Sequence, residues 1–194
     1  PALGRWTDLQ SVPMTAELAH NCFANGNTHG IAVICGRVSS NLECIDFDAH
    51  GRNIEQIVSQ WYGDPGVKDI IARHKCYVEK SPSGGYHVLY RYDTDVQPEG
   101  NQKLANWSDG QSMIETRGEG GYVIVAPTPG YTTVKNTLTD MGVMTPDERD
   151  YLLEKAKQLD QSQVSDTVSA SAKEGEVKGF DGDDPVSWFN WNRA

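Results

Sequence analysis

The sequence predicts an α+β domain, and three observations lead there. Short strand-like runs follow one another across glycine-rich turns, the signature of antiparallel pairing. Other stretches carry apolar residues at helical spacing. The 194 residues are 38% apolar and 9% aromatic, which is ample for a packed core.

Residues 15–23 (TAELAHNCF) read as a short helix with Thr15 as its N-cap, ended by the turn-forming Asn25-Gly26-Asn27. Residues 31–35 are an apolar strand, followed by Gly36-Arg37 and the polar turn Ser39-Ser40-Asn41. Residues 42–48 alternate as a second strand. In residues 53–61, Ile54, Ile57, Val58 and Trp61 mark one face of a helix. Gly63-Asp64-Pro65-Gly66 breaks that helix, and residues 67–72 form a short helical piece. Residues 76–80 and 86–92 are strands joined by Ser81-Pro82-Ser83-Gly84-Gly85, a hairpin signal. Residues 112–116 and 122–126 are expected to form a second hairpin around Arg117-Gly118-Glu119-Gly120-Gly121. Residues 145–159 open with Thr145-Pro146-Asp147-Glu148, an N-cap with proline in the first turn and early acids, and so form a helix.

Residues 1–160 are therefore read as one domain. Residues 161–179 lack large apolar side chains and are expected to be a flexible linker. Residues 180–194 gather Asp181, Asp183, Asp184, Trp188, Phe189 and Trp191, and read as an acidic and aromatic tail that begins a further domain. The start at Pro1, without Met, is read as that of an excised or processed chain.

The formal net charge is −10, and residues 141–194 carry half of the excess. That balance speaks against a bulk electrostatic grip on nucleic acid, although carboxylates that bind metal would be neutralised by it. No apolar run approaches the roughly 20 residues of a membrane span, and no secretory signal opens the chain. Four dispersed cysteines point to a reducing, cytoplasmic setting. His20-x-Cys22 and His74-x-Cys76 do not have zinc-site spacing, so no zinc is expected.

Three stretches carry chemistry. In Glu43-Cys44-Ile45-Asp46-Phe47-Asp48, alternation buries Ile45 and Phe47 and sends Asp46 and Asp48 to the other face, about 6.5–7 Å apart. Two such carboxylates repel unless a cation lies between them, and hard Mg²⁺ or Mn²⁺ suits oxygen ligands. Two acids on a solvated strand would account for the pair alone. Glu115 shares a strand face with Arg117 and offers a third acid for a two-metal site. Arg117 either pairs with Glu115 or binds phosphate with its forked donors. In Ser81-Pro82-Ser83-Gly84-Gly85-Tyr86-His87, two hydroxyls and exposed backbone N–H groups suit phosphate oxygens, and His87 opens the next strand. There His87, Leu89 and Arg91 share one face, and Val88 and Tyr90 the other.

The order D-x-D, S-x-S-G-G-x-H, E-x-R-G-x-G-G-Y-V-I-V-A-P resembles the primase-polymerase domain of the archaeo-eukaryotic primase superfamily, of the phage or mobile-element type. The resemblance runs from about Gly30 to Pro127 and implies an RRM-like sheet flanked by helices. It also implies that Asp46, Asp48 and Glu115 hold Mg²⁺ or Mn²⁺, and that Ser83 and His87 contact the triphosphate of the incoming nucleotide. The third acid here is Glu where Asp is more frequent, and its longer arm can still ligate. Ser81, Gly84, Gly85, Lys80, Arg91 and Arg117 complete the expected nucleotide site, with His87 counted among the catalytic residues.

The implied activity is metal-dependent nucleotidyl transfer by a template-directed DNA primase and DNA polymerase. Its partners would be single-stranded DNA template, primer, dNTP or NTP, and helical or helicase domains of the same polypeptide. Two other readings use the same residues: a metal-dependent nuclease, and a catalytically silent RRM-like nucleotide- or nucleic-acid-binding module. An outward sheet face of acids, where RRM binding uses aromatics, speaks against the last.

Overall fold

The computed structural model describes residues 6–24, 26 and 30–162. The linker expected at 161–179 and the tail at 180–194 lie, but for residues 161 and 162, outside the described residues. Four α-helices are present among them: α1 (Ala16–Phe23), α2 (Ile54–Tyr62), α3 (Pro65–Arg73) and α4 (Pro146–Lys157). The strands are β1 (Ile31–Ile34), β2 (Leu42–Phe47), β3 (Tyr77–Lys80), β4 (Tyr86–Tyr92), β5 (Lys103–Asn106), β6 (Ser112–Arg117), β7 (Tyr122–Val125), β8 (Thr132–Lys135) and β9 (Val143–Met144). The class is α+β, as the sequence predicts.

The main sheet runs β5-β6-β2-β4-β3-β8, with the short β9 parallel to β4 and every other pair antiparallel. The alternation of β2 and β4 divides the interior in two. Ile45, Phe47, Val78, Val88 and Tyr90 face the helices, where Ile54, Trp61, Ile71 and Leu152 close the larger core. The Trp61 indole N–H donates to the Leu152 carbonyl at 3.1 Å and ties α2 to α4. On the opposite face, Leu42, Cys44, Tyr77 and Leu89 are covered by Val123 and Val125 of a separate two-stranded ribbon, β1–β7. That ribbon covers one end of the face. Asp46 and His87 stand next along their strands from Cys44 and Leu89, past the ribbon's apolar cluster, with 13% and 8% of their side chains exposed.

The second hairpin expected around 117–121 does not form. Both edges of β6 are taken, one by β2 and one by β5, so β7 finds no place beside it and pairs with β1 instead. The crossing is held where the Glu119 N–H donates to the Glu99 carbonyl at 2.7 Å, and the Cys35 N–H to the Gly121 carbonyl at 3.0 Å. A Cβ on Gly118 would run into the Glu99 carbonyl, which explains the glycine there. β5 and β8 carry no clear sequence signal, being short edge strands of mixed composition.

Thr145 caps α4 as expected, in a capping box with Glu148: its hydroxyl accepts from the Glu148 N–H at 3.3 Å, and the Glu148 carboxylate accepts from the Thr145 N–H at 2.8 Å. Arg73 and His74, at the end of α3, also donate to that carboxylate. Burial alone would raise the Glu148 pKa, but these donors pull it down from 4.5 to about 2. A depressed carboxylate stabilises the fold above its unfolded value and ceases to do so as pH falls through its folded one. Glu148→Gln keeps the capping acceptor but loses the charge facing Arg73 and His74, and should therefore cost about 1 kcal/mol at neutral pH. The urea midpoints of variant and wild type should converge between pH 4.5 and about 2. A gap that stays constant over that window would contradict the assignment.

Candidate active site

The register of the main sheet lines up one row of side chains across six strands. Lys103 on β5 stands opposite Glu115 on β6, Glu115 opposite Asp46 on β2, Asp46 opposite His87 on β4, His87 opposite Glu79 on β3, and Glu79 opposite Thr133 on β8. Directly opposed residues lie about 4.5–5.5 Å apart. Residues far apart in the chain, Asp46, His87 and Glu115, thus become immediate neighbours past the ribbon's apolar cluster.

Arg117, one row back on β6, extends its guanidinium to both acids. Its Nη2 donates to Asp46 Oδ2 at 3.2 Å and also to the Glu115 carboxylate. Burial alone would lower the Arg117 pKa; the charges of Asp46 and Glu115 outweigh it and raise it. A fixed cation already lies against the two carboxylates, whose hard oxygens are the donor type a divalent metal ion takes. His87 closes the other side: its Nε2 lies 3.5 Å from Asp46 Oδ1, while its Nδ1–H donates to Glu79 Oε1 at 2.8 Å. The Tyr131 ring lies 5.8 Å from the imidazole, centroid to centroid.

The other expected residues are placed differently. Asp48 lies just past β2, at a turn where His50 and Gly51 have left-handed φ values of 44° and 77°. The turn brings the His50 ring back, with Nε2 3.3 Å from Asp48 Oδ2, and Asp48 Oδ1 accepts from the His50 N–H. Among the described residues, no three of His, Cys, Asp and Glu gather closely enough to hold a metal ion. The structure thus brings Asp46 and Glu115 together and leaves the Asp48 carboxylate on His50.

The Ser81–Gly85 turn joins β3 and β4 as expected, beside the end of β2 from which Asp48 follows. Ser81 is buried and shares a 2.9 Å hydrogen bond with the exposed Ser83 hydroxyl. The two glycines serve the turn first. A Cβ on Gly85 would run into the Phe47 carbonyl, and the Gly84 N–H donates to the Ser81 carbonyl at 3.0 Å. A Cβ on Gly84 would meet open space, so its φ of 88° is what favours glycine there.

Two cations expected at the nucleotide site lie away from the row. Lys80 falls on the helix side of the sheet by alternation, next to Tyr86, and pairs with Glu55 of α2 at 2.6 Å. Arg91 shares the face of His87 but sits beyond the buried Leu89, donating to the Ser39 and Leu138 carbonyls at 3.3 Å each. Conversely, Glu79 and Lys103 belong to the row, and sequence reasoning did not single them out. The signal was available for Glu79: pairing 76–80 with 86–92 across a five-residue turn sets it opposite His87.

Among the described residues, no helix is long and apolar enough to cross a membrane. A search of curated proteins finds no match to the chain. A family defined as the N-terminal domain of bifunctional DNA primase/polymerases does match, over residues 1–148, a span that contains the whole row and the Arg117 clamp. The chain belongs to the Prim-Pol family.

Proposed function

We propose that the chain is a template-directed DNA primase and DNA polymerase that transfers nucleotides on single-stranded DNA in a metal-dependent reaction. Family membership supports nucleotidyl transfer of the primase/polymerase kind. The single observation that carries the specific reading is the juxtaposition of Glu115, Asp46 and His87 across three strands, with Arg117 against both acids.

Asp46 and Glu115 would hold Mg²⁺ or Mn²⁺, with Asp48 joining them only once its carboxylate leaves His50; the ion would supply positive charge where negative charge develops on the phosphates. The remaining work falls to the protein. Arg117 carries a fork of donors that matches phosphate as well as carboxylate, so a triphosphate arriving at the acids competes for it. His87 presents Nε2 to the same space, and the exposed Ser83 hydroxyl at the turn reaches the phosphate tail. The covered end of the face and the buried residues behind it hold these groups in one geometry, which is how positioning lowers a barrier. The backbone of Gly84 contributes room in this scheme, since its N–H is spent within the turn.

A labelled primer annealed to a single-stranded template separates the readings. Incubation with dNTP or NTP and Mg²⁺ or Mn²⁺ should lengthen the primer, and a primer-free reaction should report synthesis from scratch. Shortening of the strand without nucleotides would establish a nuclease instead. Binding without either change would leave a silent binding module, and the proposal would fall.

A further inference from the structure

Glu79 is a fully buried carboxylate on β3, with 0% of its surface exposed. Burying an ionised acid is costly unless donors surround it, and an apolar residue would often serve the fold as well. Three donors converge here. Glu79 Oε1 accepts from the His87 Nδ1–H at 2.8 Å, and Oε2 accepts from the Tyr77 hydroxyl and the Ala126 N–H, each at 2.8 Å. Among the described residues, the only ion-pair partner of Glu79 is His87. The buried Glu43, by contrast, is neutralised by Arg149.

Two of the three donors fix the carboxylate itself: one is main chain, and the other comes from a buried tyrosine of the same strand. The third bond then transmits that fixed position to the imidazole. An imidazole ring has a broad, roughly two-fold outer torsion, so without an anchor it turns over and puts a ring carbon where a nitrogen stood. With Nδ1 engaged, Nε2 is the nitrogen on the Asp46 side, at 3.5 Å.

We propose that Glu79 is a positioning residue: it acts through His87, locking the ring so that Nε2 faces the acid pair and the phosphates of the incoming nucleotide. This rests on the nucleotidyl-transfer reading of the site. Orienting partners of functional histidines are worth about 10–100-fold in activity at metal sites.

The test is a double-mutant cycle of Glu79→Gln and His87→Ala, read by steady-state primer extension at varied dNTP, with thermal melts as the control for folding. Glu79→Gln should lower kcat/KM for dNTP by about 10–100-fold in the wild-type background. In the His87→Ala background the same substitution should change it less than about twofold, since non-additivity marks residues that act as one unit. Equal losses in both backgrounds would show plain structural support and overturn the proposal, as would no loss in either. A second readout needs neither metal nor activity. In the nucleotide-free protein, the Nδ1–H proton of His87 should give a slowly exchanging imidazole resonance that Tyr77→Phe retains and Glu79→Gln loses. A wild type that shows this resonance but incorporates no nucleotide would count against the function alone; a wild type without it overturns the role given to Glu79. Should Glu79→Gln not fold, Glu79→Leu takes its place in both measurements.

Discussion

Asp46→Asn is expected to abolish nucleotide incorporation, by about 10³-fold or more, while the protein melts within a few degrees of wild type. The size follows from the role: charge stabilisation at a metal site is worth several kcal/mol, and each 1.36 kcal/mol is a factor of ten in rate. Asp46 stands between the other three residues of the site. It faces Glu115 on one side and His87 on the other, and it accepts from Arg117 at 3.2 Å. Asparagine keeps the shape and an acceptor oxygen, so Arg117 loses one charge partner and retains Glu115. Its side chain is 31% exposed, and ion pairs of that kind contribute about 0–1 kcal/mol. Stability is thus nearly untouched while the chemistry is removed. Primer extension beside a thermal melt checks both halves. Extension within tenfold of wild type would remove Asp46 from the reaction; a drop in melting temperature of 10 °C or more would make the loss of activity a folding effect.

The same strand shows how far the sequence could be read. The alternation in 42–48 puts Asp46 opposite Ile45 and Phe47, and the structure agrees, because a strand packed on both faces tolerates one register only. Alternation also put Glu115 with Arg117 and His87 with Leu89. What periodicity cannot give is the neighbour across the sheet when the pairing is non-local. The contact of Asp46 with Glu115 joins residues 69 apart in sequence through β2–β6, a pairing no turn announces. The error over 117–121 has the same origin. A glycine-rich run between two strands signals a hairpin locally, yet the competition for the edges of β6 is decided by β2 and β5. Lys80 and Arg91 show a further limit. Both are basic residues near the right strand ends, but one points to Glu55 on the helix side and the other is spent on carbonyls beyond Leu89. Glu79 is legible only in part: the hairpin register sets it opposite His87, but its burial and its donors leave no mark on the sequence.

The largest effect on stability should come from Arg149, on the helix that packs behind that strand. Glu43 is 1% exposed and Arg149 7%, and they meet through two bonds, Nε to Oε2 at 2.6 Å and Nη2 to Oε1 at 2.9 Å. The Tyr90 hydroxyl donates to Glu43 Oε2 at 2.7 Å, and the guanidinium carbon lies 4.9 Å from the Tyr92 ring centre. Burial would lower the Arg149 pKa, but Glu43 above all raises it, so the guanidinium keeps its charge in the interior. Arg149→Met leaves the carboxylate buried with a single phenolic donor, and breaking such a pair from one side costs about 3–5 kcal/mol. Against a total stability of about 5–15 kcal/mol, that is enough to unfold a large share of the protein on mild heating. The guanidinium-chloride midpoint should fall accordingly. Replacing both partners, Glu43→Leu with Arg149→Met, removes the stranded charge and should recover most of the loss, since apolar substitutes for a buried pair are often neutral or better. A single variant that loses less than about 1 kcal/mol would show water reaching Glu43; a double variant no better than the single would show that the pair fixes α4 on β2 by geometry. In either case incorporation should track the folded fraction, because Glu43 points to the helices and Asp46, three residues on, to the opposite face of the sheet.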